Sequence, residues 1–281
     1  MVKLVSKHRE SEADVPAQGL VRFYLIVEYD GTDYCGWQRQ INGPSVQQTL
    51  EEALSRLTGE AIACTGSSRT DAGVHALGLC VHFDSATRIP PEKIAFALNT
   101  MLPPDIRVRE SGPAREKFHA RYAAAGKVYR YTFYNSRHDC AVGRQFMAHV
   151  PLKLDEALMH EEAQALIGTH DFAAFAASGS VVRSTVRTIY KAEVKRSGDV
   201  VTLTVMGDGF LYNMVRIIAG TLMEVGTGKR EPGAIAQAIA NGDRLALGQT
   251  APAKGLMLMR VLYEGDEAKG LSYFDDEPVE A

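Results

Sequence analysis

Apolar and polar residues recur with two different periods along the first half of the chain. Val21–Tyr29 is a β-branched and aromatic run that ends at Asp30-Gly31, which predicts a strand followed by a turn. Ser45, with Gln48 three residues later, forms a capping box at the start of a run with helical spacing that ends at Gly59. The same patterns predict short strands at 61–65, 77–83 and 106–110, and a second helix that opens at 91.

The second half of the chain repeats this order of elements without repeating the sequence. Its periods predict a strand at 126–135, a helix at 155–167, a hairpin of strands 187–195 and 200–206, a long helix at 210–225 and a strand at 256–263. A further helix at 232–241 lies outside this order. Two βαββαβ halves predict an α+β protein built from ferredoxin-like units, each an antiparallel sheet with its helices on one face.

These elements divide the chain into four segments. We expect a mobile leader over residues 1–20, where no period is visible, and an acidic tail over residues 265–281. Between them we predict an N-terminal α/β domain, 21–114, and a C-terminal α/β domain, 115–264. A polar loop with candidate chemistry lies in the first of these domains.

The net charge of −3 is distributed unevenly along the chain. From Glu264 onward seven acidic residues and one lysine give this segment −6, while residues 1–20 are neutral, so residues 21–263 carry +3. Such an excess does not by itself show nucleic-acid binding. A basic cluster is either a local RNA-binding surface or a solvated face, and its members are Arg115, Lys117, Arg121, Lys127 and Arg130.

The composition disfavours several classes of protein. No run reaches the roughly eighteen apolar residues of a membrane span, and no apolar block of the kind found in secretory signals opens the chain, so we expect a cytoplasmic protein. The cysteines form no short-range pairs and the histidines have no metal-ligand spacing, so neither a disulfide nor a metal is predicted. No complete phosphate-binding loop and no GxSxG elbow is present, which argues against a nucleotide site and the usual hydrolase chemistry.

The polar loop Gly66–His75 reads Gly-Ser-Ser-Arg-Thr-Asp-Ala-Gly-Val-His and combines opposite charges with two glycines between predicted strands. Asp71, two residues before Gly73, fits a tight turn, in which Gly supplies backbone freedom and Asp bonds to its neighbours. Turn-forming Asp residues are far more common than catalytic ones. The loop alone therefore leaves both roles open.

Arg216 lies in a predicted helix whose apolar positions cover most of its circumference. A buried guanidinium needs a carboxylate, and the positions three and four residues away offer none. We expect the partner to come from elsewhere in the fold and favour Asp71, whose carboxylate such a pair keeps ionised. The alternative is an Arg side chain that snorkels to the surface.

Two aromatic residues have an open choice between packing and substrate contact. Period-two alternation places Tyr129 on one face of a strand together with Tyr131 and Phe133. Such a face usually packs in the core, but a Tyr beside a polar loop can also stack on a base and transfer a proton. Trp37, the one tryptophan of the chain, lies in a polar loop, where core anchoring and base stacking are both open.

Seven short segments from the two halves match the sequence pattern of a known family. They are Glu28-Tyr29-Asp30-Gly31, Gly36-Trp37-Gln38, Arg69–His75, Phe118–Arg121, Tyr129–Tyr131, Met214–Arg216 and Ala253–Leu256. Together they closely resemble the TruA family of tRNA pseudouridine synthases over about residues 21–263, and the Arg-Thr-Asp-Ala-Gly-Val-His segment is highly specific. The resemblance implies the pseudouridine synthase fold, in which two ferredoxin-like, RRM-like halves with antiparallel sheets form a central cleft.

The resemblance also implies an activity and roles for residues. A homodimer without cofactor would isomerise uridine to pseudouridine at positions 38, 39 and 40 in the anticodon stem and loop of tRNA. Asp71 is then the nucleophile and Arg216 its partner, while Tyr129 contacts the uracil and Arg69 enters the space that the flipped base leaves. Further substrate contacts are expected from Thr70, His75, Trp37 and Gln38. The carboxylate can attack either C1′ or C6 of the uridine, and both first adducts are open.

Three residues depart from the family pattern. Ser68 stands where Gly usually precedes the arginine, and it would strain the loop if that position needed positive φ. Leu79 replaces a common Gln, and Ala176 stands where an arginine often lies.

The alternative function is a tRNA-binding or tRNA-folding protein with little turnover. Asp71 argues against it, since a carboxylate repels phosphates and a pure binder has no need of one.

Overall fold

The computed structural model describes residues 15–177 and 183–266, so most of the predicted leader and acidic tail lie outside the described residues. The strands are β1 Val21–Tyr29, β2 Cys64–Gly66, β3 His75–Ser85, β4 Ile106–Pro113, β5 Gly126–Tyr134, β6 Ala148–His149, β7 Gly168–Asp171, β8 Val186–Ser197, β9 Val200–Gly207 and β10 Leu256–Leu262. The α-helices are α1 Val46–Thr58, α2 Ile94–Asn99, α3 Glu156–Gln164, α4 Met214–Gly226 and α5 Ala234–Asn241. In these ranges no helix is both long and apolar enough to span a bilayer.

The first compact unit contains the described residues up to Ala125 together with Leu258–Gly265. Its strands β4, β1, β3 and β2 lie side by side in that order, all antiparallel, and β10 also borders β3. The residues of β1 alternate as the period predicts, because Leu25 and Val27 are fully buried while Tyr24, Ile26 and Glu28 are partly exposed. This unit has the βαββαβ order predicted from the sequence.

Helix α1 follows its local sequence signals. The Ser45 hydroxyl accepts a hydrogen bond from the backbone N–H of Gln48 at 3.3 Å, as the capping box predicts. Gly59 ends the helix with φ +75°, a left-handed conformation that suits glycine. Between these caps Leu50 and Leu54 are fully buried, so the apolar stripe of the helix supplies part of the core.

The second compact unit spans Gly126–Met257. Strands β5, β9, β8 and β7 are antiparallel neighbours in that order, and the short β6 pairs with β5 in parallel. Helix α3 packs on β8 and on α4. The α+β class and the order of the predicted elements are confirmed, while β6 and β7 are additions that the sequence pattern did not predict.

Several bounds differ from the predicted ones, and two of these differences have identifiable reasons. Helix α4 begins at Met214 instead of residue 210, because Asn213 adopts φ +61° and a left-handed residue interrupts a helix. The units divide after Ala125, whereas the sequence predicts a division after residue 114. Hydrogen bonds join the intervening residues to the end of β10 and to the residue after it: Ala125 N–H donates to Leu262 O and the Tyr263 hydroxyl donates to Ala120 O, both at 2.8 Å.

Candidate active site

The polar loop is a turn fixed at both ends to strands of the first unit. Ser67 N–H donates to Cys80 O at 2.8 Å, which attaches the start of the loop to β3. Within the loop Val74 N–H donates to Asp71 O at 3.1 Å, and Gly73 takes φ +74°. Asp71 therefore closes a tight turn, as its spacing to Gly73 predicts.

The backbone of residues 31–37 packs directly against the backbone of this turn. A Cβ at Gly31 would lie 2.1 Å from Val74 O, and a Cβ at Gly36, where φ is +98°, would lie 2.4 Å from Thr70 O. Trp37 N–H donates to Thr70 O at 3.1 Å. Only residues without a side chain permit this approach, so the two glycines determine how closely the loop is supported.

Buried side chains brace the loop from below. The hydroxyls of Tyr29 and Thr70 are 2.8 Å apart, and the Tyr29 ring stacks with Trp37 at a centroid distance of 6.3 Å. Trp37 is only 2% exposed, and a Cβ at Gly66 would lie 2.6 Å from its Nε1. The structure thus places Trp37 and Thr70 as supports of the loop, and their predicted contact with substrate remains a prediction.

His75 joins the end of the loop to the segment after β1. Its side chain is 1% exposed, and its Nδ1 accepts a hydrogen bond from Gly31 N–H at 3.0 Å. The same nitrogen lies 3.1 Å from Asp30 Oδ1. His75 holds Asp30-Gly31 in place, and its predicted substrate contact is likewise not tested by this geometry.

Both charged residues of the loop are accessible to solvent. Asp71 is half-buried, and Arg69 is exposed, with its Nη1 3.4 Å from Oε1 of the exposed Gln38. Support from beneath and access from outside suit a carboxylate that must meet a large substrate in a fixed orientation. Of the predicted site residues in this unit, Asp71, Arg69 and Gln38 are accessible and three others form the scaffold.

The expected strain at Ser68 is absent. Among the described residues Asn213 is the one non-glycine with positive φ, so Ser68 has an ordinary backbone conformation that any residue adopts. The loop accepts Ser here because the positive φ falls at Gly73 instead. The neighbouring Ser67 is fully buried, and its hydroxyl has no hydrogen-bond partner in the described part of the chain.

Tyr129 lies in the second unit, on β5 opposite Val205 of β9. Its side chain is 6% exposed and the Phe210 ring meets it edge-on at a centroid distance of 5.1 Å. Farther along the same face, Tyr131 is fully buried and donates to Pro252 O at 2.8 Å. Burial raises the pKa of Tyr131 well above its ordinary value although the Arg216 charge opposes this shift, so its hydroxyl stays protonated at neutral pH.

Arg216 lies in the first turn of α4 and is held by neutral oxygens. Its Nε donates to Ala251 O at 2.8 Å and its Nη1 donates to Asn213 Oδ1 at 2.9 Å, while Ala251 N–H donates back to Arg216 O at 3.0 Å. The side chain is half-buried. These contacts orient the guanidinium, and pairing with Asp71 remains a prediction.

The remaining candidates for reactive chemistry are structural. In the described ranges no group of three His, Cys, Asp or Glu residues has a geometry that could hold a metal ion. All four cysteines are free thiols. Burial raises the pKa of Cys80 to about 12 and also raises that of Cys64, so both thiols are protonated and unreactive at neutral pH.

Replacing Thr70 by Val tests the support of the loop. The substitution keeps the side-chain shape and removes the hydroxyl that bonds to Tyr29, so the free energy of unfolding should fall by about 1 to 3 kcal/mol. Thr70→Ser retains the hydroxyl and should stay closer to wild type. Urea denaturation of both variants measures the difference, and equal losses would contradict a role for the hydroxyl.

Comparison of the sequence with known proteins identifies the family of this chain. The family model described as tRNA pseudouridine synthase matches residues 25–123 and 163–264. The tRNA pseudouridine synthase A of Acetivibrio thermocellus is 50% identical over 85% of this chain and 98% of its own length, and that of Ruminiclostridium cellulolyticum is equally similar. That of Bacillus licheniformis is 45% identical over 87% of this chain and 100% of its own length. Matches of this identity and coverage carry the assignment: the chain belongs to the tRNA pseudouridine synthase family.

Proposed function

We propose that this protein converts uridine into pseudouridine at positions 38, 39 and 40 in the anticodon stem and loop of tRNA, with Asp71 as the nucleophile. The observation that carries the proposal is the half-buried Asp71 carboxylate on a turn whose backbone is braced by Gly31 and Gly36. Relatives named tRNA pseudouridine synthase A, which this chain matches over nearly their whole length, support the substrate and the reaction.

The reaction needs a nucleophile and proton transfer but no oxidant or reductant. The C1′–N1 bond of the uridine breaks, the uracil rotates, and a C1′–C5 bond forms; C5 then loses its proton and N1 gains one. Attack by the Asp71 carboxylate on C1′ or on C6 starts either route, and release of the carboxylate from the adduct returns the enzyme. An isomerisation of this kind leaves no need for a cofactor, in line with the absence of a nucleotide-binding motif.

Arg69 and Tyr129 have complementary proposed roles around the flipped nucleotide. A base that leaves its helical stack loses stacking energy, and the planar guanidinium of the exposed Arg69 can occupy the vacated space. Tyr129 is nearly buried on a rigid strand, so its ring offers a fixed surface for the uracil, and its hydroxyl is a candidate for removing the C5 proton. Gln38 lies beside Arg69 and helps to orient it.

Arg216 is the proposed partner of the Asp71 carboxylate. Its contacts with Ala251 O and Asn213 Oδ1 are to neutral oxygens, so they fix the direction of the guanidinium and preserve its positive charge. A positive charge near a carboxylate keeps that carboxylate ionised and nucleophilic. Asn213 enters this proposal as a positioning residue, since its left-handed backbone places Oδ1 against Arg216 Nη1.

The first prediction from this proposal concerns Asp71→Asn. The amide keeps the shape of the side chain and removes the nucleophile, so we expect turnover to fall by more than about ten-thousandfold. tRNA binding should persist or tighten slightly, because one negative charge near the phosphates is lost. Release of tritium from uridine labelled at C5 measures turnover, and filter binding with the same preparation measures affinity.

Tyr129→Phe is the matched comparison in these assays. It keeps the ring and removes the hydroxyl, so a proton-transfer role predicts slower turnover with nearly normal binding. Thermal melting verifies that both variants are folded. Tritium release near the wild-type rate by folded Asp71→Asn would refute the nucleophile assignment and favour the tRNA-binding alternative.

The second prediction concerns Asn213. In Asn213→Gly the backbone can still adopt φ +61°, but Arg216 Nη1 loses its Oδ1 acceptor, so kcat should fall by about 10- to 100-fold through misplacement of the guanidinium. Asn213→Ala removes the same acceptor and adds about 1 to 2 kcal/mol of left-handed backbone strain. Both variants should therefore lose kcat alike, and the Ala variant should melt at a lower temperature. An unchanged kcat in Asn213→Gly would remove Asn213 from the mechanism.

The third prediction concerns assembly: we propose that the protein acts as a homodimer in the cytoplasm. Two-fold pairing is the commonest assembly of soluble proteins, and a tRNA is large compared with one 30.7 kDa chain. Sedimentation at micromolar concentration should show a dimer under conditions in which tritium release is measured. A fully active protein that sediments as a monomer would exclude this proposal.

A further inference from the structure

An exposed aromatic ring lies outside the residues assigned to uridine chemistry. Tyr122 is 46% exposed, and its ring stacks on His119 with a centroid distance of 4.2 Å and an interplanar angle of 26°. The guanidinium of Arg121 lies 5.9 Å from the centre of the Tyr122 ring. The stacked ring and the neighbouring cation restrict the freedom of this exposed side chain before any ligand binds.

The segment that carries this ring, residues 115–122, is fixed to the first unit. Arg22 is 5% exposed, forms two bonds to the Asp84 carboxylate at 2.8 and 2.9 Å, and donates through Nη1 to Phe118 O at 2.8 Å. Ala120 N–H donates to Nδ1 of the buried His82 at 3.1 Å. The buried Arg22, paired with the half-buried Asp84, and a buried imidazole thus position the backbone on which Tyr122 stands, so little entropy is lost when a ligand binds it.

The ring beneath Tyr122 is itself held in one orientation. Nδ1 of His119 accepts hydrogen bonds from the backbone N–H groups of Arg121 and Tyr122, both at 3.1 Å. These donors require a lone pair on Nδ1, which places the hydrogen of a neutral ring on Nε2. His119 also meets the buried His82 ring, with ring centroids 4.8 Å apart and an interplanar angle of 60°. Tyr122 therefore stacks on an imidazole ring that two backbone hydrogen bonds hold in one orientation.

The charge of the segment is suited to a polyanion. Residues 115–122 contain three basic residues and one acidic residue, which gives a net charge of +2, and Arg115, Lys117 and Arg121 are exposed. Exposed aromatic rings beside arginines are the arrangement by which proteins bind single-stranded nucleotides, since the ring stacks on the base and the cation neutralises the phosphate. A core-packing role for Tyr122 does not account for its exposure.

We propose that Tyr122, supported by His119 and flanked by Arg121, is a stacking site for an unpaired nucleotide of the tRNA. The identity of the nucleic acid rests on the proposed function, whereas the stacking geometry does not. The site binds a base by its flat face and so tolerates different bases. It holds the substrate during catalysis and takes no part in bond making or breaking.

The test compares Tyr122→Ala with Tyr122→Phe in filter binding of an unmodified tRNA transcript. Loss of one stacked base should weaken binding by about 5- to 150-fold in the Ala variant, and the Phe variant, which keeps the ring, should bind like wild type. In salt titrations between about 50 and 200 mM, Arg121→Gln should lower the slope of log Kd against log salt by about one, while Tyr122→Ala leaves the slope unchanged. At saturating tRNA the Ala variant should retain the wild-type kcat and show a raised KM.

Each other outcome overturns the stacking site. Normal tRNA affinity in a folded Tyr122→Ala protein would show that no base stacks there. Equal losses in the Ala and Phe variants would assign the effect to the hydroxyl. A changed sedimentation coefficient of Tyr122→Ala in the absence of RNA would show that the ring contacts a second copy of the chain.

The same measurements separate this site from the proposed function. Wild-type protein that binds tRNA through Tyr122 but releases no tritium would refute the enzyme and retain the stacking site. Active enzyme with a silent Tyr122→Ala variant would refute the stacking site alone. Wild-type protein that does not bind tRNA would refute both.

Discussion

The candidate site depends on a close contact between two stretches of backbone. Gly31 and Gly36 lie so near Val74 O and Thr70 O that any side chain at either glycine would push the loop away. Contact at this distance lets Thr70 O accept from Trp37 N–H and brings the Thr70 hydroxyl to Tyr29. The position of Asp71 thus depends on the lack of side chains at Gly31 and Gly36 and on the hydrogen bond between the buried hydroxyls of Tyr29 and Thr70. A loop supported in this way is preorganised, so little binding energy is lost on ordering it when a substrate binds.

Signals in the neighbouring sequence were sufficient to predict the bounds of elements that local residues begin and end. The strand β1 and the helix α1 have the bounds that alternation and the capping residues Ser45 and Gly59 predict. The start of α4 could not be read from its apolar period, because the left-handed turn at Asn213 is stabilised by contacts between Asn213, Arg216 and Ala251, which is distant in sequence. The short strand β7 pairs with β8 across a connection and carries no alternating pattern of its own.

The candidate site likewise combines residues that the sequence alone indicates with residues whose role depends on tertiary contacts. The loop sequence made Asp71 and Arg69 candidates, since charge and turn spacing are visible in a single stretch, and their roles remain proposals. The open choice for Trp37 between anchor and stacking surface needed the tertiary neighbours, because it is the missing side chain of Gly66 that makes room for the indole. Asn213 was overlooked, although an Asn directly before a helix that contains an Arg three residues later was an available signal. For Arg216 the sequence argument demanded a carboxylate, while the structure adds neutral oxygens that orient the charge and that no pattern reveals.

The burial of Trp37 has a practical consequence for the study of this protein. It is the one tryptophan in the chain, so all indole fluorescence originates from a ring that lies against Gly66 and Tyr29, directly beneath the turn with Asp71. Indole emission depends on the polarity of its surroundings, and water reaches this ring only if the loop separates from its support. The protein therefore contains an intrinsic optical reporter at its proposed reaction centre, and movements of the loop are accessible to stopped-flow spectroscopy without a label.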